Sequence, residues 1–262
     1  MNREIRQENL AQTGGRMAEA NLAWQVSITS SGSVLDFSPD NGLTSSQLKC
    51  QWAKKWAQWS RQKLALAQQP LAKAAALQKH QRRVIWDLTC GLGYDSLWFL
   101  FFGQQVVAFE RHPGMAALVT ANLHASALNP PPWLAQGGSF KLVEGDFQKM
   151  AQATAVSASS TNSFEATLPH PDVLYLDPMF GDEGGKRKAP PKKNLQVLPQ
   201  LVGLDEDAPQ LLLSALTWAK AQQVGRVILK RLLHAPVLRE PDWQIKAKQI
   251  RFDGWTTGPK LT

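Results

Sequence analysis

Tyr175-Leu-Asp-Pro-Met-Phe-Gly181 is the stretch that decides how this chain folds. Asp172 to Leu176 form a short, largely apolar run between His170-Pro171 and Pro178, which predicts a buried strand. The strand stops at Asp177, because proline has no N–H for the next rung of a central ladder. Asp177 then stands at a strand's carboxyl end, where open α/β sheets bind their ligands. The rigid Pro-Met-Phe turn behind it points backbone carbonyls and an aromatic face into the same space. A carboxylate, carbonyl acceptors and a ring suit a planar group bearing an exocyclic NH2. Taken alone, the tetrapeptide fits equally an ordinary strand-to-turn Asp-Pro beside a core phenylalanine, so the rest of the chain decides.

Upstream, Val84 to Leu88 is an apolar strand running into Asp87-Leu-Thr-Cys-Gly-Leu-Gly93. A helix follows from Tyr94 to about Phe102, with Gly103 as the residue after its cap. Gln105 to Phe109 is the next strand, with Glu110 at its end, and Pro113 opens a helix to about Ala127. Phe140 to Val143 is a third strand, ending in Glu144-Gly145-Asp146. Residues 152 to 167, rich in Ser, Thr and Ala, read as a flexible connection. Downstream, Asp205-Glu206-Asp207 place acids at the start of a helix reaching about Gln223, where they complement its dipole. Val224 to Lys230 is a fifth strand, and Trp243 to Phe252 with the final residues make a closing antiparallel pair. Strands separated by helices predict an α/β fold with a doubly wound, mostly parallel sheet.

Four carboxylates, Asp87, Glu110, Asp146 and Asp177, fall at four consecutive strand ends and face one crevice. Gly91 and Gly93 let a ligand approach the backbone. Position 96 is Ser, so the third glycine of the dinucleotide fingerprint is missing, and there is no Walker A motif. A pyrophosphate ligand is therefore disfavoured. Glu110 suits a ribose diol and Asp146 an adenine amino group. Asp87 and the glycine loop suit the amino-acid end of S-adenosylmethionine, directly or through water. The ordered set, followed by Asp-Pro-Met-Phe, predicts a Rossmann-like class I methyltransferase; a NAD- or nucleotide-binding domain is the competing reading.

A length of 262 residues suits one large domain, or one domain with a smaller appendage. We read residues 1–75 as an N-terminal region and 76–262 as the methyltransferase domain. In the first, Ser27 to Ser33 is loop or hairpin, Val34 to Phe37 a short strand, and Pro39-Asp-Asn-Gly42 a turn. Thr44 or Ser45 then caps a helix through Leu48, Trp52, Trp56 and Trp59 to about Gln69. Its other face carries Lys49, Lys54, Lys55, Arg61 and Lys63: either a solvated face over a core stripe or an RNA-facing surface. Leu71 to about Gln78 is a second helical piece. A net charge of +8 and a pI near 9.6 favour a polyanionic partner, nucleic acid before membrane surface. Two distant cysteines, Cys50 and Cys90, form neither a disulfide framework nor a metal-ligand spacing, so no metal is expected and a reduced compartment is the simpler reading. The longest apolar run, Leu97 to Phe102, is too short to span a bilayer, and the first residues lack a signal peptide's apolar core. These features predict a soluble cytoplasmic protein.

Asp87-Leu-Thr-Cys-Gly-Leu-Gly-Tyr-Asp95, Phe109-Glu-Arg-His-Pro113 with Ala116-Ala117-Leu118, and Tyr175-Leu-Asp-Pro-Met-Phe180 resemble the small-subunit ribosomal RNA methyltransferase J family. So do Leu201-Val-Gly-Leu-Asp205 and Val227-Ile-Leu-Lys-Arg231. The resemblance covers roughly residues 80 to 235. It implies a cytoplasmic enzyme that uses S-adenosylmethionine to methylate N2 of a guanine in 16S rRNA. Carried over by position, the cofactor residues are Tyr94 with Asp95, Glu110 with Arg111, Asp146 with Phe147, and Asp177. For the acceptor base, Asp177 and the Pro178 carbonyl orient the NH2 and Phe180 stacks on the ring, worth about 1–3 kcal/mol. Lys186, Arg187, Lys188, Lys192 and Lys193 follow this turn and suit phosphates of the rRNA or the small ribosomal subunit. Lys230 and Arg231, ending the fifth strand, are expected to reach the RNA too. Another nucleic-acid amine as target, and a non-catalytic RNA-binding module on a methyltransferase fold, are the competing functions.

Overall fold

The protein is described here by a computed structural model. It describes residues 4–5, 22–29, 32–39, 46–124, 130–156, 167–180, 203–259 and 261. Two sheets are present. The smaller is an antiparallel meander of β1 (Glu4–Ile5), β2 (Leu22–Thr29), β3 (Gly32–Pro39) and β4 (Ser46–Cys50). The larger has seven strands: β5 (Val84–Asp87), β6 (Gln105–Glu110), β7 (Ser139–Glu144), β8 (Val173–Leu176), β9 (Arg226–Leu232), β10 (Trp243–Lys246) and β11 (Ile250–Thr256). Their order across the sheet is β10-β11-β9-β8-β5-β6-β7. Pairs β5–β6, β6–β7, β5–β8 and β8–β9 are parallel, and β11 runs antiparallel to both β9 and β10. The chain leaves β5 towards β6 and β7 on one side and returns to β8 and β9 on the other. The switch point of the winding lies between β5 and β8, and ligands bind at such points.

Helices α1 (Trp52–Gln62), α2 (Pro70–Ala74), α3 (Tyr94–Phe101) and α4 (Pro113–Leu123) belong to one apolar cluster. It runs from Val26, Leu35 and Trp52 to Ile85, Leu97 and Tyr175. Helices α5 (Phe147–Val156) and α6 (Ala208–Ala221) pack on the other face of the large sheet, around Trp86, Phe109, Leu174 and Trp218. The predicted strand–helix succession is therefore observed, with a Schellman closure of α3 at Gly103 (φ 71°).

The differences from expectation have identifiable causes. The helix expected from Thr44 or Ser45 begins only at Trp52. Gln47 and Lys49 are exposed while Leu48 and Cys50 are buried, a period of two, and β4 pairs with β3 with Leu35 opposite Leu48. The buried side chain of Asn122 on α4 holds the strand-to-helix junction, donating to Cys50 O and accepting from Trp52 N. The hairpin expected around Ser27 to Ser33 is β2–β3, paired from Leu22 opposite Pro39 to Thr29 opposite Gly32, though its strands are longer than expected. The connection expected from residue 152 starts later, because α5 continues to Val156; residues 157–166 lie outside the described residues. The closing pair is β10 and β11, so Trp243 to Phe252 spans a turn rather than one strand.

Candidate active site

The loop Leu88-Thr-Cys-Gly-Leu-Gly93 after β5 is tied to the strands on both sides. Towards β8, Leu88 N donates to Tyr175 O (2.9 Å) and Asp177 N donates to Thr89 Oγ1 (2.7 Å). Towards β6, Cys90 N donates to Phe109 O (2.9 Å) and Gly91 N donates to Glu110 Oε2 (2.7 Å). Glu110 and Asp177 thus flank one short loop, as the sequence predicts. Gly93 takes a left-handed φ of 67°, and a Cβ there would lie 2.4 Å from Trp52 Cζ2, so no other residue fits without displacement.

Asp87 is 1 % exposed. Its Oδ1 accepts from Thr89 N (3.2 Å) and its Oδ2 from Ser96 Oγ (2.6 Å). Burial pushes this carboxyl up to about 7 against those hydrogen bonds. Asp87 therefore shapes the loop from inside, and Ser96, which replaces the third fingerprint glycine, is its partner. Glu110 Oε1 accepts from His112 N (2.8 Å), and burial raises the carboxyl to about 7. Two hydroxyl donors from a ribose suit such a desolvated acceptor.

At the switch point, Asp95 on α3, Asp177 after β8 and Lys230 on β9 meet. Lys230 Nζ donates to Asp95 Oδ2 and to Asp177 Oδ2, both at 2.7 Å, and Tyr175 Oη donates to Asp95 Oδ2 (2.6 Å). Burial raises Asp177 to about 6, with Lys230 opposing and the neighbouring Asp95 adding to the rise. Burial acts on Asp95 in the same sense, but Lys230 and Tyr175 bring it below the ordinary carboxylate range. Lys230 itself is held well above its ordinary value; the two carboxylates outweigh its burial.

The acceptor turn is fixed from outside the sheet. Phe180 N donates to Pro178 O (3.1 Å), a tight turn that leaves the second lone pair of that carbonyl for another donor. Met179 N donates to Asp205 Oδ2, and Asp205 N donates to Met179 O (2.9 Å). Arg111, just past β6, binds Asp205 and also Asp207 (2.8 Å). One carboxylate thus connects the residue after Glu110 with the turn after Asp177.

Several expected roles change. Arg231 is 2 % exposed; its guanidinium lies 3.8 Å from the centre of the Phe180 ring and donates to Pro236 O (2.8 Å). It supports Phe180 and does not face solvent, so it is no RNA contact. Lys230 is bound to the two carboxylates. Phe147 is buried against Phe109 and Trp218, at 5.8 and 5.7 Å between ring centres, so its ring is core. Tyr94 accepts from Gln51 N (3.2 Å) and joins α3 to the start of α1. Asp146 Oδ1 accepts from Gln148 N (2.8 Å) at the start of α5, which orients the carboxylate without changing its expected role. Asp205 and Asp207 stand at the start of α6 as expected, Asp207 as its N-cap residue, and they also pair with Arg111. Lys186, Arg187, Lys188, Lys192 and Lys193 lie outside the described residues. The sequence reading gave no site role to Thr89, Ser96 or Asp205, although Thr89 and Asp205 lie inside the quoted motifs and Ser96 follows one directly.

This strand order, with carboxylates gathered on a glycine loop at the switch point, defines a class I methyltransferase that uses S-adenosylmethionine. A family model described as "Putative SAM-dependent methyltransferase" matches residues 17–257. A Neisseria gonorrhoeae SAM-dependent methyltransferase of solved structure is similar in fold, with a TM-score of 0.59, 22% identity, and coverage of 93% of this chain and 86% of that one. The Ribosomal RNA small subunit methyltransferase J of Idiomarina loihiensis is 36% identical over 201 residues, 75% of this chain and 69% of the relative. That of Thioalkalivibrio sulfidiphilus is 36% identical over 199 residues, 75% and 71% respectively. The chain belongs to the ribosomal RNA small subunit methyltransferase J family.

Proposed function

We propose that the protein transfers a methyl group to the exocyclic N2 of a guanine in 16S rRNA, in the cytoplasm, on naked RNA or on the small ribosomal subunit. The observation that carries this reading is the shared loop: Asp177, with its Asp-Pro-Met-Phe turn, and Glu110 are bonded to opposite sides of residues 88–93. The donor set fits S-adenosylmethionine: a buried acceptor for a ribose diol, a glycine loop with positive φ for close approach, and carboxylates for an ammonium. When bound, that cofactor supplies an electrophilic methyl group. Glu110 would accept from the ribose hydroxyls and Asp146 from the adenine amine, and Asp95 with the loop backbone would hold the amino-acid end. Asp177 and the Pro178 carbonyl accept from the guanine NH2 and aim its lone pair, and alignment of this kind contributes several kcal/mol. Acceptors placed where positive charge develops on that nitrogen add to this, and Asp177 can hold the proton that the amine releases. Phe180, backed by Arg231, offers its other face to the splayed-out base. Residues 1–75 form the smaller region of this reading, and Lys186, Arg187, Lys188, Lys192 and Lys193 hold RNA phosphates.

The test is transfer of labelled methyl to 16S rRNA, with the methylated base mapped in cells with and without the protein. Asp177→Ala is expected to abolish transfer while the thermal melt is retained. Unchanged turnover, or label on DNA or protein alone, refutes the proposal.

A further inference from the structure

Charge is distributed very unevenly along this chain. The segment from Asn41 to Trp86 holds nine of the 29 Lys and Arg residues and none of the 21 Asp and Glu residues. The rest of the chain therefore has no net positive charge of its own. Lys54, Arg61, Lys63, Lys79 and Arg82 are exposed, and among the described residues none of them makes an ion pair. The tryptophans of the segment do not compete for this surface. Trp52 and Trp59 are buried, and Trp56 and Trp59 pack on Phe101 at 5.0 and 5.7 Å.

Helix α1 begins beside the cofactor loop, where Trp52 Nε1 donates to Leu92 O (2.9 Å) and Gln51 N to Tyr94 Oη. It ends where Trp59 meets Phe101, at the far end of α3. There a cavity of about 820 Å³ opens between Leu64, Leu77, Phe101 and Phe102, with Lys79, His80 and Arg82 on its rim and no acidic lining residue. Eleven helical residues span about 16 Å, the length of about five stacked nucleotides at roughly 3.4 Å each.

We propose that the exposed face of α1 and this basic, ring-lined cavity form a track for the phosphodiester backbone of the substrate RNA, with an unpaired nucleotide seated in the cavity. This rests on the rRNA reading above. RNA fits better than an anionic membrane because the apolar face of α1 is spent on the core, leaving nothing to insert into lipid. The cavity's rings offer stacking surfaces that a headgroup does not use.

The experiment compares two fourfold alanine variants of the full chain. One replaces Lys54, Arg61, Lys79 and Arg82; the other replaces Lys149, Lys220, Lys246 and Lys248, which are exposed elsewhere. Binding of an in vitro transcribed 16S rRNA fragment is titrated at several salt concentrations, and calorimetry with S-adenosylhomocysteine checks that both variants are folded. The track variant is expected to bind RNA at least tenfold more weakly near 0.1 M salt. Its log–log salt slope is expected to flatten by about 0.7 for each phosphate that the variant no longer neutralises, while the control keeps the wild-type slope. Equal losses in both variants reduce the effect to net charge and overturn the track. So does an unchanged slope, or binding to phosphatidylserine vesicles that the track variant alone loses while RNA binding persists. A wild-type protein that binds this RNA through the track yet methylates no rRNA sinks only the preceding reading.

Discussion

Replacing Lys230 by Met isolates what the partly buried lysine does for the acceptor carboxylate. Nζ lies 2.7 Å from both Asp95 Oδ2 and Asp177 Oδ2. At that distance one charge pair is worth about 1.5 kcal/mol in bulk water and about 6 kcal/mol at an effective dielectric of 20. The side chains of Lys230, Asp95 and Asp177 are 22, 28 and 37 % exposed, so screening places the value towards the lower end, at about 2 kcal/mol. Loss of the cation also leaves Asp95 raising Asp177 unopposed. Asp177 already stands at about 6 because of burial, so its ionised, accepting form is to be populated only at still higher pH. The acid limb of the methyl-transfer profile is therefore expected to move up by more than one pH unit, about 1.4 kcal/mol per unit. Turnover at pH 7 is expected to fall about fourfold and to recover almost fully at pH 9. Lys230→Arg keeps the charge and is expected to keep the midpoint. The assay is initial rate of labelled methyl transfer between pH 5.5 and 9.5, beside thermal melts of each variant. A uniform loss of rate with an unmoved limb refutes the reasoning and makes Lys230 a packing residue.

Gly93→Ala meets both a positive φ and the Trp52 ring, so denaturant unfolding is expected to show a loss of about 2–4 kcal/mol. Asp205→Ala frees the Met179 N–H and the Arg111 pair; methyl transfer is expected to fall about ten- to a hundredfold with S-adenosylhomocysteine affinity nearly kept, because the damage lies on the acceptor side. Without cofactor, Asp87 and Glu110 carry raised folded values of about 7, so the folded state holds more protons than the unfolded one above the ordinary carboxylate range. Their contribution is full at low pH and is lost as pH rises through 7. Glu110→Gln removes one of the two groups, and urea unfolding at pH 5 and pH 8 is expected to show a smaller difference than in the wild type.

The periodicity of apolar runs and the prolines and glycines between them determined the strands, their order along the chain and the carboxylates that end them. These are local properties: a strand that runs into Pro178 must stop, and a glycine-turn-helix must follow Val84–Asp87. Asp177, Glu110 and the loop between them were legible for that reason. Tertiary structure decided what each polar group meets. Nothing near Arg231 in sequence says that Phe180 lies on its guanidinium, or that Lys230 points inward at carboxylates 53 and 135 positions away. The same holds for Asp205, whose partners Met179 and Arg111 come from the turns after two different strands. Even the start of α1 was decided this way, because Ser46–Cys50 found an edge of β3 to pair with before its helical pattern could begin. A charged side chain's role depends on its partners' distance in space, and only the packed sheet supplies that distance.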